Sequence, residues 1–111
     1  MTLVDGQWNG PILDNHFHLD RVGRYLDAAA DFQRAGGTDL VLVHKPDFDN
    51  LPNTVEEIRE AYEDTVAMAK QVRLECDLGV RVVLGPHPAA WVHQCAALGV
   101  EESNDLHLQA V

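Results

Sequence analysis

Lysine is scarce in this sequence, with only Lys45 and Lys70 among its eight basic residues. Eighteen acidic residues give the chain a formal net charge of −10. Proteins that bind nucleic acids through their phosphates need a basic patch, so we expect no strong electrostatic binding to nucleic acid. An acidic surface poor in lysine is typical of proteins from salt-loving microbes, where carboxylates hold hydration water and salt screens their repulsion. A halophilic origin is therefore one hypothesis, and an ordinary acidic protein is the other.

Long apolar runs are also lacking, and no basic-then-apolar leader precedes the first strand. A membrane-spanning helix needs about 20 apolar residues, so no membrane association is expected and a cytoplasmic location is predicted. The two cysteines, Cys76 and Cys95, form no Cys-x-x-Cys pattern. They are interpreted as small, buried apolar residues rather than as a disulfide or a zinc pair.

The 111 residues suit a single domain in which strand-like and helix-like segments alternate. The predicted strands are 12–17, 40–43 and 80–84, and the predicted helices are 22–35, 54–77, 89–98 and a pattern over 101–111. Residues 1–10 are interpreted as a lead-in, in which Trp8 covers the bottom of the first strand. The apolar run from Leu40 to Val43 indicates a parallel strand covered on both faces. This alternation predicts an α/β fold, a parallel βαβαβα unit.

Several local signals set the ends of the predicted helices. Gly36 and Gly37 are expected to stop the first helix, and Gly79 the second. Thr54 and Glu57 form a capping-box pattern at the start of the second helix. The acidic residues of that helix are predicted to form its solvated face rather than a metal site: Glu56, Glu57, Glu60, Glu63 and Asp64.

The segment 11–20, Pro-Ile-Leu-Asp-Asn-His-Phe-His-Leu-Asp, combines a strand with two histidines. Side chains two apart in a strand point to the same face, with Cα atoms roughly 6.5–7 Å apart. His16 and His18 can therefore converge on one divalent metal ion. Asp14 and Asp20 would orient an imidazole or add oxygen ligands. The alternative is that both histidines are unrelated polar residues at the junction of strand and loop.

Other polar residues also follow the predicted strands. His44 and Lys45 come after the second strand, and His87 after the third. Active sites form at the carboxyl ends of parallel strands, so these three residues are candidates for contact with substrate. His44 is equally well interpreted as a pocket residue, a proton donor or a polar residue facing water. His93 and His107 fall in helical segments and are predicted to lie at the surface.

Two motifs resemble those of TatD-related metal-dependent hydrolases, within the wider amidohydrolase group. Leu-Asp-Asn-His-Phe-His-Leu-Asp is similar to the first-strand motif of that family, and Gly-Pro-His-Pro at 85–88 is similar to its third-strand motif. The resemblance implies the first three β/α units of a TIM-like (β/α)8 barrel, with His16 and His18 as metal ligands. It also implies hydrolysis of a small-molecule or nucleic-acid ester, typically a phosphodiester as in a deoxyribonuclease, by water bound to one or two divalent ions. Zinc, manganese, cobalt, nickel and magnesium are not distinguished.

The later strands of that family, which supply its carboxylate and further histidine ligands, have no counterpart in residues 1–111. The chain is therefore expected to be a partial hydrolase domain, inactive in isolation and prone to self-association through open sheet edges. Two alternatives remain. One is a non-catalytic binding or structural α/β module. The other is a metallohydrolase of the polymerase-and-histidinol-phosphatase type, which also opens with His-x-His.

Overall fold

An antiparallel hairpin precedes the main sheet in the structure, a computed structural model that describes residues 3–111. Strands β1 (Leu3–Val4) and β2 (Gln7–Trp8) are joined by Asp5 and Gly6, whose φ values are +50° and +77°. Asp-Gly is a common pair in such two-residue turns because both positions need positive φ. The prediction of a lead-in over residues 1–10 did not include this hairpin. Residues 1 and 2 lie outside the part of the chain that the structure describes. Trp8 stays more than half exposed, and its Nε1 donates to the Pro11 carbonyl at 3.0 Å, just before the first predicted strand, so any cover it gives that strand is partial.

Three parallel strands form the main sheet, in the order β3-β4-β5. They are β3 (Leu13–Phe17), β4 (Asp39–Val43) and β5 (Gly79–Val83). The four helices are α1 (Tyr25–Arg34), α2 (Val55–Glu75), α3 (Pro88–Leu98) and α4 (Val100–Ala110). The mixed α/β class and the parallel sheet agree with the prediction.

The predicted element ends are right in some places and wrong in others. The Thr54 hydroxyl accepts a hydrogen bond from the Glu57 amide at 3.1 Å, as the capping pattern predicts. Helix α1 begins at Tyr25, three residues late, because the Asp20 carbonyl first closes a turn by accepting from the amides of Gly23 and Tyr25. Gly79 opens β5 rather than closing α2. A Cβ there would lie 2.2 Å from a carboxylate oxygen of Asp39.

The core lies between one face of the sheet and the helices α1 and α2. Leu40 and Leu42 of β4 are fully buried there with Ala29 of α1 and Ala69 and Val72 of α2. The opposite face is open, with Leu13 58% and Val83 50% exposed and Val41 and Val43 only partly covered. The prediction that both faces of the second strand are covered is therefore wrong. The acidic residues of α2 are exposed, as predicted.

The outer edge of β5 is partly capped by a side chain. Odd-numbered residues of β5 bond to β4, as the Gly79 amide does to the Thr38 carbonyl, so the Val80 carbonyl points away from the sheet. Arg73 of α2 donates to that carbonyl from Nε at 3.2 Å and from Nη2 at 2.5 Å. Association through the β5 edge would have to displace this guanidinium.

Helices α3 and α4 extend the fold past the amino-terminal half of α2. A second apolar cluster joins Ile58 and Tyr62 of α2 to Leu106 and Ala110 of α4. His107 lies beside this cluster and is only 8% exposed, which contradicts the prediction that it lies at the surface. His93 is exposed, and both cysteines are free, Cys76 being buried. Within residues 3–111, no helix combines the length and apolar character that crossing a bilayer requires.

Candidate functional site

A bulge in β3 sets the position of the first histidine. Asp14 pairs with Leu40 and Phe17 with Leu42, so two residues of β3, Asn15 and His16, stand opposite one residue of β4. A bulge of this kind re-aims the side chains of its strand. Phe17 still packs onto the core, its ring 5.6 Å from that of Phe32.

His16 and His18 lie side by side at the carboxyl end of β3. Their Nε2 atoms are 3.2 Å apart, and their rings meet edge to face. Nδ1 of His18 lies 3.0 Å from the Val43 carbonyl oxygen. A carbonyl oxygen only accepts, so Nδ1 of His18 is the protonated nitrogen and its Nε2 presents a lone pair toward His16.

The chemistry of this pair fits a divalent ion. Two ring nitrogens each about 2.0–2.1 Å from one tetrahedral or octahedral ion lie about 2.9–3.4 Å from each other. Metal-bound histidines usually donate their other ring N–H to a carbonyl or carboxylate, as His18 does to Val43. In residues 3–111, however, no cluster of three or more histidine, cysteine, aspartate or glutamate side chains is placed to hold a metal. The pair offers two imidazole nitrogens as donors.

The two flanking acids contact backbone rather than imidazole. Oδ1 of Asp14 accepts from the His16 amide at 3.0 Å, and Oδ1 of Asp20 accepts from the Val22 amide at 3.1 Å. Oδ2 of Asp20 lies 3.8 Å from Nζ of Lys45. Asp14 therefore braces the bulge, and Asp20 shapes the turn that leads into α1.

No protein-family model, curated protein or solved structure matches this chain. The likeness to TatD-related hydrolases therefore depends on the two motifs at 13–20 and 84–88 alone.

A cleft of about 410 Å³ opens between α2 and the loops that follow β4 and β5. His44, Lys45 and His87 line it, whereas His16 and His18 do not. Asp20 and Lys45 line a neighbouring cleft of about 530 Å³. The predicted site residues are thus divided between a histidine pair and adjoining clefts.

His44 is half-buried in the wall of the 410 Å³ cleft. Its Nδ1 lies 2.7 Å from the Thr65 hydroxyl, and its ring meets that of Tyr62 edge to face at 4.9 Å. Burial lowers the pKa of His44 below its ordinary value, and His18 lowers it further, while Asp64 raises it. These contacts favour the neutral imidazole. Burial also raises the pKa of Tyr62.

His87 is fixed between Pro86 and Pro88 at the start of α3. Its Nδ1 accepts a hydrogen bond from the Ala89 amide at 3.0 Å, which makes His87 the capping residue of that helix. The Phe48 ring meets the imidazole edge to face, with centroids 5.4 Å apart. The two flanking prolines restrict the backbone of His87, and the helix cap fixes its side chain.

Sequence reasoning did not single out three residues that line the cleft: Thr65, Gln94 and His107. Gln94 is buried and donates to the Pro52 carbonyl at 2.7 Å, and its Oε1 accepts from Nε2 of His107. Burial lowers the pKa of His107. One signal was available for His107, because Ser103, Leu106 and Ala110 recur at helical spacing around it and mark a buried stripe.

Proposed function

We propose that this chain is part of a TatD-like metal-dependent hydrolase and that His16 and His18 hold a divalent ion. The 3.2 Å approach of the two Nε2 atoms carries the proposal, since it suits two ligands of one ion. The hydrogen bond between Nδ1 of His18 and the Val43 carbonyl supports it, because it directs the lone pair of Nε2 toward His16.

The finer fold assignment belongs to the same proposal. We assign the sheet to the first three β/α units of a (β/α)8 barrel. The helices cover one face of the sheet and leave Leu13 and Val83 exposed on the other, which would face the interior of a closed barrel. The His-x-His pair stands at the carboxyl end of β3, where barrel enzymes place their sites.

When bound, the ion would acidify a water molecule and polarise the phosphodiester or ester under attack. His16 and His18 would bind the ion, and Val43 would fix the ring of His18. Further donors are needed for a complete centre, because the described residues place only these two at the pair. We therefore expect the ion to bind weakly to the chain alone, and this chain alone to hydrolyse no ester above the background of free metal.

Isothermal titration calorimetry with Zn²⁺ and Mn²⁺ tests the assignment without depending on activity. The unaltered chain should bind one ion, and the double variant His16→Ala, His18→Ala should not. His93→Ala is the matched control, because it removes one exposed imidazole from another part of the chain. Unchanged binding in the double variant would refute the assignment and point to the acidic surface instead.

A further inference from the structure

Helix α4 packs on two other helices and not on the sheet. Among the described elements it contacts only α2 and α3. Its residues Leu106 and Ala110 form a cluster with Ile58 and Tyr62 of α2, separate from the core between the sheet and the helices α1 and α2. Because α4 contributes no residue to that core, it can undock while the sheet stays folded.

The proton of His107 on α4 is placed by a chain of hydrogen bonds that begins at Pro52. The Pro52 carbonyl can only accept, so the amide nitrogen of Gln94 faces it at 2.7 Å, and the amide oxygen faces His107. That oxygen also can only accept. Nε2 of His107 therefore carries the proton, and Nδ1 carries the lone pair.

Nδ1 of His107 is buried and has no hydrogen-bond partner among the described residues. In the neutral ring, only a lone pair is left without a partner at this position. Protonation would place an N–H and a positive charge there, with no acceptor for either, which is far more costly in a buried place.

The groups around His107 do not stabilise its protonated form. Burial lowers the pKa of His107, with no carboxylate of the described residues close enough to raise it. Arg59 of α2, which donates to the Gln109 carbonyl of α4 at 2.8 Å, is itself positive. The charged or titratable side chains that line the cleft with His107 are His44, Lys45, Asp47, Glu57, Glu60, Tyr62, Asp64 and His87. Those elsewhere on α3 and α4 are exposed except for the half-buried Cys95: His93, Cys95, Glu101, Glu102 and Asp105.

We propose that His107 is an acid-sensitive latch, whose protonation undocks α4 from α2 and α3 while the sheet stays folded. The charged ring moves into water, where its second N–H finds an acceptor, and its hydrogen bond to Gln94 is lost. Undocking removes His107 from the wall of the 410 Å³ cleft and uncovers Ile58, so the cleft widens in acid. The latch does not involve the proposed metal pair, because His16 and His18 do not line this cleft.

Trp91 of α3 reports whether α4 is docked, because its Nε1 donates to Oδ1 of Asn104 on α4 at 2.8 Å. Trp8→Phe leaves Trp91 as the one tryptophan of the full chain. As the pH falls from about 7.5 to about 5, the emission of Trp91 should shift to longer wavelength, with a midpoint below about pH 6.5, and should return on neutralisation.

Amide hydrogen exchange, corrected for the intrinsic rate at each pH, shows which elements open. Protection over residues 100–110 should fall about ten-fold per pH unit below about pH 6.5, while the amides of β4 stay protected. His107→Gln keeps a side chain that can donate to Gln94 but does not titrate, so both responses should be lost. His93→Gln is the matched control, because it removes an exposed imidazole of α3, and it should keep both responses.

Three results would overturn the proposal: a Trp91 emission that does not depend on pH, loss of protection in α4 and β4 together, or an unchanged pH response in His107→Gln. If His107→Gln does not fold, the fluorescence and exchange of the chain that retains His107 still decide it.

Discussion

Gln94 is the central member of a buried polar chain that joins the loop before α2 to α4. Its side-chain amide donates to the Pro52 carbonyl at 2.7 Å and accepts from Nε2 of His107. Both Gln94 and His107 are more than nine-tenths buried. Replacing Gln94 by leucine keeps a side chain of similar size but removes both hydrogen bonds, which leaves the part-buried Pro52 carbonyl and the buried imidazole N–H of His107 without their partner.

The loss of stability in Gln94→Leu comes from the two polar groups that lose their hydrogen-bond partner. A buried polar group deprived of its partner destabilises a fold by about 1–3 kcal/mol, so the two together give about 2–6 kcal/mol. The apolar surface of leucine offsets part of this, and we expect the free energy of unfolding to fall by about 2–4 kcal/mol. For a domain of this size each kcal/mol lowers the melting temperature by about 4 °C, which predicts a drop of roughly 8–16 °C.

Urea unfolding followed by circular dichroism measures this change. Gln109→Leu, at an exposed position of α4, is the matched control and should change stability by less than about 0.5 kcal/mol. The double variant Gln94→Leu, His107→Leu should recover much of the loss, because it removes the stranded imidazole as well. A double variant that loses the sum of the two single effects would refute the coupling.

Two further predictions concern pH and salt. Burial lowers the folded-state pKa of His44 and His107, so the unfolded chain takes up these protons first. The contribution of these two neutral imidazoles to the free energy of unfolding is therefore complete above about pH 6.5. It decreases as the pH falls below that value, until the rings are protonated in the folded chain too. Urea midpoints at pH 7.5 and 5.5 should show the decline, and His107→Leu should reduce it; a pH-independent midpoint in the unaltered chain contradicts the assignment. If the net charge of −10 is a halophilic adaptation, the melting temperature should keep rising from about 0.15 M to molar potassium chloride, beyond the range of simple Debye screening. A flat melting temperature over that range would contradict the adaptation.

Local signals explain where sequence reasoning succeeded. The cap at Thr54, the apolar stripe of α2 and the β-branched run of β4 depend on neighbouring residues, and both α2 and β4 form near their predicted bounds. The Asp5-Gly6 pair is also a local signal, typical of a two-residue turn, but the hairpin was not predicted from it. The open face of β4 was not predictable from its own residues, since what covers a strand is decided by elements far along the chain.

In the candidate site, too, neighbouring residues predict some features and contacts between distant residues decide the others. Strand alternation predicts that His16 and His18 share a face, but the bulge and the bond to Val43 depend on the register with β4. The hydrogen bond of His44 depends on Thr65, 21 residues later, and the burial of His107 depends on Gln94, 13 residues earlier. No local pattern specifies such contacts, so the polarity of the cleft emerges only from the folded chain.

The hydrogen bonds from the Arg73 guanidinium to the Val80 carbonyl make the two edges of the sheet unequal in their readiness to pair with a further strand. A strand that pairs with β5 must replace the two hydrogen bonds from Arg73 to the Val80 carbonyl with its own. On the outer side of β3, no such hydrogen bond from a helix side chain to the backbone is described. Recruitment of another β segment is therefore biased toward the β3 side, beside His16 and His18. Any chain that completes the sheet there would arrive next to the histidine pair, so the same event that extends the sheet would bring further donors to the proposed metal site.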